Sequence, residues 1–139
     1  MVLLDLQKAF ETVSCSILLI KLRAMGLSGS AVSWFSSYLT ERTLCVSVNG
    51  SLSSPRETIC GVPQGFILGL YLFLVYVDDM ERAVRCKLLL YADDSALLVS
   101  RRSVKEIETE LSVKLSSVRT WLIDNKLFLH LGKTESILF

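Results

Sequence analysis

The feature that most constrains this chain is four residues long. Tyr91-Ala92-Asp93-Asp94 lies where two apolar runs meet, one from Lys87 to Ala92 and one from Ser95 to Val99. Two such runs around a short polar turn are a β-hairpin signal. The spacing predicts strands over 87–92 and 95–99, with Asp93-Asp94 as the turn. Adjacent carboxylates between apolar strands repel each other where water is scarce. A hard divalent cation relieves that repulsion, because Mg²⁺ takes carboxylate oxygens and water as ligands. Paired aspartates are also ordinary turn residues, so the dipeptide alone leaves both readings open.

A second acid stands in a similar place. Val2-Leu3-Leu4 is a short apolar run that ends on Asp5. A strand there, laid beside the hairpin, would gather three carboxylates at one edge of a sheet, the ligand set of a two-metal site. The third feature is Gly61-Val62-Pro63-Gln64-Gly65. Small residues let a ligand approach the backbone, proline stiffens the entry, and Gln64 offers both a donor and an acceptor. By itself this loop reads as a plain helix entry.

The rest of the chain supplies elements to carry these features. Ser14 can cap a helix with Ile17, Leu18, Leu22 and Met25 on one face, stopped by Gly26. Ser28 or Ser30 can cap a second, bearing Val32, Phe35, Tyr38 and Leu39. Leu44 to Val48 alternates like a strand and runs into Asn49-Gly50, a strong hairpin signal. Pro55 marks the return strand as an edge or its end. The apolar run after Gly65 predicts a buried helix to about Ala83. Ser103 and Glu106 form a capping box. Behind it Val104, Ile107, Leu111, Leu115, Val118 and Leu122 step by three and four, an amphipathic helix ending near Asn125-Lys126. Closing strands are expected around 127–129 and 137–139. The order βααββαββαβ(β) predicts an α+β domain, with helices on one face of a mainly antiparallel sheet.

Composition narrows the function classes. The 139 residues fit one domain. Hydrophobic residues make up 51% and charged residues 21%, which excludes a disordered tail. The net charge is +1 with no basic arm, so charge alone advertises no grip on nucleic acid. Cys15, Cys45, Cys60 and Cys86 form no CxxC pair and His130 is the lone histidine, which argues against zinc and for reduced thiols inside a cell. Residues 58–77 carry no charge, enough in length for a bilayer, but Gly61, Pro63, Gln64, Gly65 and Gly69 interrupt them. A buried helix is expected there, not a membrane span. The opening Met-Val-Leu-Leu-Asp lacks the basic start of a secretory signal.

Together, in this order and spacing, these features resemble the palm of reverse transcriptases, most closely those of non-LTR (LINE-type) retrotransposons. The resemblance runs from Asp5-Leu6-Gln7-Lys8-Ala9-Phe10 through Trp34, Ser37-Tyr38-Leu39 and Arg42 to Val48-Asn49-Gly50. It continues through Gly61-Val62-Pro63-Gln64-Gly65, Ile67-Leu68-Gly69 and Leu72-Phe73. It closes on Tyr91-Ala92-Asp93-Asp94, Trp121 and Gly132-Lys133-Thr134-Glu135. The fold it implies is the polymerase palm, a ferredoxin-like antiparallel sheet with helices packed on one face. Residues 1–139 would then be a partial reverse transcriptase domain.

The resemblance implies RNA-directed DNA polymerase chemistry, with a primer 3′-hydroxyl attacking the α-phosphate of a dNTP. Its catalytic residues would be Asp5, Asp93, Asp94 and Lys133. Asp5 and Asp93 would bind two Mg²⁺ (Mn²⁺ as a substitute), with Asp94 in support. Phe10 falls at the aromatic gate against the ribose 2′-hydroxyl, although core packing is its plain alternative. Gln64 and Gly65 fall at the incoming nucleotide and template, Tyr91 near the primer end, and Lys133 where it would assist pyrophosphate departure. The partners implied are an RNA template, a DNA primer and dNTP, in the nucleus or cytoplasm.

Some positions depart from the family pattern. Glu11 replaces an Asp, Phe66 a Ser, Leu70 a Pro and His130 an Asn, and none of these removes a metal ligand. They read as drift in a copy no longer selected for polymerisation. The family's fingers and thumb fall outside the matched stretch, so the chain alone is expected to bind nucleic acid weakly and polymerise poorly. The alternative expectation is a non-enzymatic retroelement remnant, or a captured binding or scaffold module.

Overall fold

A computed structural model describes residues 1–65 and 67–139. The chain runs β1 (Val2–Asp5), α1 (Ala9–Thr12), α2 (Cys15–Ala24) and α3 (Gly29–Leu39). Four two-residue strands follow: β2 (Thr43–Leu44), β3 (Ser47–Val48), β4 (Ser51–Leu52) and β5 (Arg56–Glu57). Then come α4 (Ile67–Val77), α5 (Met80–Val84), β6 (Lys87–Tyr91), β7 (Asp94–Leu98), α6 (Val104–Asp124), a 3-10 turn (Leu131–Lys133) and β8 (Glu135–Ser136).

The order β6-β7-β1-β8 defines the main sheet, and every pairing in it is antiparallel. Alternation along each strand sorts its residues to two faces. Val2, Leu4, Leu88 and Leu97 are buried on one face. Against that face pack Leu72, Phe73, Tyr76 and Val77 of α4, Met80 and Val84 of α5, and Val118, Trp121 and Leu122 of α6. Leu3, Asp5, Leu89, Tyr91, Asp94 and Ala96 fall on the opposite face, where they line an open cavity. This is the α+β palm architecture expected from the sequence.

The local signals explain most of the elements. Ser28 accepts the Ala31 N–H at 3.3 Å and starts α3, and Ser103 accepts the Glu106 N–H at 3.3 Å and starts α6. Asn49 and Gly50 both take positive φ between β3 and β4, the geometry of a tight hairpin turn. No helix among the described residues is long and apolar enough to cross a membrane. The four cysteines are free thiols.

Three expectations are corrected. The hairpin turn is Ala92-Asp93, because Tyr91 pairs with Asp94 and Asp94 therefore belongs to β7. The helix after the Gly61–Gly65 loop does not run unbroken to Ala83. It breaks at Asp78-Asp79, where the Asp79 carboxylate is drawn to the Lys21 ammonium at 2.7 Å and the Trp121 indole N–H at 3.0 Å. The closing strand lies at Glu135–Ser136, paired with Val2 and Leu3, while 127–129 contributes one bridge, Leu129 to Leu6.

Candidate active site

The site is built at the end of β1. Asp5 is the last residue of that strand and stands directly opposite Asp94 on β7. Leu3 and Ala96 stand opposite each other two residues back, so both carboxylates project from the open face. The chain is anchored around Asp5 from the far side. The Gln7 N–H donates to the Phe128 carbonyl and the His130 N–H to the Asp5 carbonyl, both at 2.8 Å. Asp93 sits one residue beyond Asp94, in the turn.

That turn is strained. Ala92 has φ +52°, in the left-handed region, which costs an alanine about 1–2 kcal/mol relative to an unstrained backbone. The turn leaves Tyr91 83% exposed at the rim. Asp5, Tyr91, Asp94 and Lys133 line one cavity of about 400 Å³ with Leu3, Leu89 and Ala96. Asp93 is not among its lining residues. Lys133 ends the 3-10 turn that the His130 carbonyl organises by accepting the Lys133 N–H at 2.9 Å and the Thr134 N–H at 3.1 Å. Its Nζ lies 3.8 Å from Asp5 Oδ2.

The donor chemistry of this edge suits a hard cation: two carboxylates on one face, a third in the adjoining turn, all open to water. Among the described residues, however, no three His, Cys, Asp or Glu side chains are drawn close enough to hold an ion as they stand. Asp5 instead shares its carboxylate with the Lys133 ammonium.

The Gly61–Gly65 loop forms a second wall. The Gly61 N–H donates to the Val13 carbonyl and the Val62 N–H to the Phe10 carbonyl, both at 2.8 Å. Gly61 takes φ +93°, and a Cβ there would stand 2.9 Å from the Glu11 carbonyl oxygen, so this docking needs glycine. Docking brings Phe10, Pro63, Gln64, Gly65, Ile67 and Leu70 around a cavity of about 410 Å³. The Phe10 ring also packs on the buried Phe73 with centroids 4.6 Å apart, the core contact that was its plain alternative. Phe66 lies outside the described residues.

Sequence reasoning missed the backbone contacts that hold Asp5, from Phe128 and His130. They span more than 120 residues and leave no local signal.

Strand order, a carboxylate-bearing hairpin beside a carboxylate-bearing strand, and a glycine loop docked on the following helix define the palm of a nucleic-acid polymerase. Comparison with known proteins makes this specific. Residues 1–138 match the family "Reverse transcriptase (RNA-dependent DNA polymerase)", and the chain belongs to it. It is 33% identical over 128 residues to a probable RNA-directed DNA polymerase from transposon BS of Drosophila melanogaster, covering 86% of this chain and 14% of that protein. It is 30% identical over 144 residues to the RNA-directed DNA polymerase from mobile element jockey of the same fly, covering 98% and 16%. A putative 115 kDa protein in type-1 retrotransposable element R1DM, also from that fly, is 30% identical over 119 residues, covering 84% and 11%. Among solved structures, apo telomerase from Candida tropicalis, truncated from its C-terminal domain, shares the fold. That match has a TM-score of 0.69 at 16% identity, over 98% of this chain and 30% of that one. The chain thus spans less than a fifth of these curated relatives, and the match is to a non-LTR type of reverse transcriptase domain.

Proposed function

We propose that this chain is the palm segment of an RNA-directed DNA polymerase. The observation that carries the reading is the register of β1 and β7. It sets Asp5 opposite Asp94 on the open side of the sheet, with Asp93 next in the turn. Asp5 and Asp93, supported by Asp94, would hold divalent metal, Mg²⁺ or Mn²⁺. When bound, such ions lower the pKa of an attacking hydroxyl and hold the triphosphate.

The chain's own residues position the reactants. Tyr91, exposed at the rim, supports the primer end. Gln64 and Gly65 meet the nucleotide and the template, and the Phe10 edge limits room at the ribose. Lys133, within 4 Å of Asp5, would meet a departing pyrophosphate. Positioning and charge neutralisation of this kind supply most of the catalysis in phosphoryl transfer. The natural partners are an RNA template, a DNA primer and dNTP within the cell, in nucleus or cytoplasm. With a net charge of +1, the chain by itself grips them weakly and extends a primer poorly.

Primer extension on an RNA template tests the reading. Slow incorporation with Mg²⁺ or Mn²⁺, lost in Asp93→Asn, is expected. Paramagnetic broadening by Mn²⁺ at residues 5, 93 and 94 should accompany it and weaken in the same variant. Neither signal above that of Asp93→Asn would end the polymerase reading, and robust synthesis would overturn the claim of weak activity. A second reading, a non-enzymatic remnant serving as a binding or scaffold module, draws on the Lys133 ammonium that shares Asp5. Absent broadening together with a wild-type fold would select it.

A further inference from the structure

Two cysteines far apart in sequence are brought to one place by two sets of backbone contacts. The first set docks the Gly61–Gly65 loop. Its Gly61 N–H reaches the Val13 carbonyl and its Val62 N–H the Phe10 carbonyl, both at 2.8 Å. Cys60 is the residue just before the first of these bonds on one segment, and Cys15 opens α2 just after it on the other. The second set comes from the end of α3. The Cys15 Sγ lies 3.9 Å from the Leu39 carbonyl. In the β2–β5 ribbon Thr43 pairs with Glu57, and the Thr58 N–H meets the Arg42 carbonyl at 2.8 Å. That antiparallel register carries the chain back toward Thr40 and Leu39 as it reaches Cys60. Both thiols therefore converge where α3 ends.

Segments joined by direct backbone hydrogen bonds run about 5 Å apart, inside the roughly 7 Å that a disulfide tolerates between Cα atoms. The other two cysteines are elsewhere. Cys45 leaves the ribbon at its opposite end, about 16 Å from Cys60 at about 3.3 Å per residue along the ladder. Cys86 lies against the main sheet, its Sγ 3.4 Å from the Leu98 carbonyl. Cys60 is exposed and Cys15 half-buried. Burial pushes the Cys15 thiol up and the neighbouring Cys60 adds to it, while a hydrogen bond from its own backbone and the Arg42 guanidinium pull it down. Cys60 is thus the thiol that meets solvent first, and Cys15 the one held in reserve behind it.

We propose that Cys15 and Cys60 are a modification site, where a reversible disulfide clamps the Gly61–Gly65 loop onto the start of α2. The oxidant is a small-molecule disulfide, glutathione disulfide in the test below. The Cys60 thiolate attacks one of its sulfurs, the S–S bond breaks, and one glutathione leaves with the proton that Cys60 gave up. The Cys15 thiolate then attacks the Cys60 sulfur of the mixed disulfide. The second glutathione leaves with the Cys15 proton. Two thiols are oxidised and one disulfide is reduced to two thiols. In a reducing compartment such a bond is transient, so the pair senses oxidation and does not cement the fold. The bond would hold Gln64 and Gly65 in their docked place.

The test is incubation of the full chain with glutathione disulfide and glutathione at set ratios, followed by alkylation and peptide mass spectrometry. Expected is a Cys15–Cys60 bond as the main intramolecular product, rising with the oxidised fraction and reversed by excess glutathione. Its formation should slow amide hydrogen exchange at Gly61 and Val62 by about tenfold or more, because the loop can no longer lift from α2. Cys60→Ser, at an exposed position, should abolish both effects and keep the circular dichroism of the parent chain. Cys15→Ser should instead leave Cys60 stalled as the mixed disulfide. If Cys15→Ser fails to fold, Cys60→Ser and the bond mapped in the parent chain decide the matter.

A parent chain that stops at the mixed disulfide on Cys60 overturns the proposal. So does a bond from Cys60 to Cys45 as the main product. A Cys15–Cys60 bond that leaves exchange at Gly61 and Val62 unchanged overturns the clamp. Neither metal, nucleotide nor nucleic acid takes part, so the result is independent of whether the carboxylate edge polymerises.

Discussion

Two lysine–aspartate pairs in this fold differ in almost everything but their chemistry. Lys21 and Asp79 meet at 2.7 Å between α2 and the α4–α5 break, where the lysine side chain is only 14% exposed. Lys133 and Asp5 meet at 3.8 Å at the open edge of the sheet, where the lysine is 63% exposed. The first pair is embedded in a network. Lys21 also donates to the Tyr76 carbonyl at 2.6 Å and lies over the Tyr76 and Trp121 rings, 4.9 Å and 5.0 Å from their centroids. Trp121 donates to the same Asp79 oxygen, and the Tyr76 hydroxyl donates to the Asn125 carbonyl at 2.6 Å. The pair thus ties α2, the α4–α5 break and α6 together. The second pair has no such company, and solvent screens it. One ion pair is structural, while the other is a loose, solvent-screened contact.

The sharpest way to break this comparison is to make one substitution in both places. Lys21→Met should lower the unfolding free energy by about 2–3 kcal/mol, because Asp79 and the Tyr76 carbonyl lose their cation in a half-buried setting. Urea denaturation measures it, and a loss under about 1 kcal/mol would mean that Lys21 welds nothing. Tyr76→Phe comes next, at about 1–2 kcal/mol, since it strands the buried Asn125 carbonyl and removes the acceptor of the Ser14 N–H.

Alkaline pH sharpens the contrast further. Burial raises the Tyr76 phenol above its ordinary 10.0. Above pH 10 the unfolded chain therefore gives up a proton that the folded chain keeps, and stability falls as pH rises toward the folded value. Burial lowers the Lys21 ammonium below its ordinary 10.5, against the pull of its hydrogen bond to Asp79. In the window just below 10.5 the folded chain sheds a proton that the unfolded chain keeps, so this group's contribution rises with pH. The two oppose each other. Removing Lys21 should leave the alkaline fall steeper, and urea midpoints between pH 9 and 11.5 would reveal it. The smallest effect belongs to the edge pair: Lys133→Met should change stability by less than about 0.5 kcal/mol. A larger loss would make that edge structural too.

The contrast also shows what a sequence discloses. The edge site was legible because its signals are local. Asp5 ends a three-residue apolar run, Tyr91 to Asp94 bridges two more, and Ser28 and Ser103 cap helices within three residues of themselves. The turn was read one residue late because Ala92 adopts a left-handed conformation that nothing in its side chain requests. The network was not legible. Lys21, Asp79 and Trp121 are separated by dozens of residues, and Lys21 by itself looks like any exposed helix lysine. The helix break at Asp78-Asp79 follows from that network, so it was missed with it. The closing strand at 135–136 was misplaced for a similar reason. Its partner is Val2-Leu3, at the other end of the sequence, and Ile137-Leu138-Phe139 is the more apolar segment.

The strand order has a further consequence, in time. β1 is synthesised before both of its partners, yet it lies inside the sheet, between β7 and β8. Its neighbours are residues 94–97 and 135–136, so its ladders cannot both close until more than a hundred further residues have followed it. Contacts this distant along the chain slow folding. Until they form, Val2-Leu3-Leu4 is a naked apolar strand with both edges unpaired, a template for pairing with another chain. The central strand of this sheet is thus also the segment that stays longest open to pairing with a neighbouring chain.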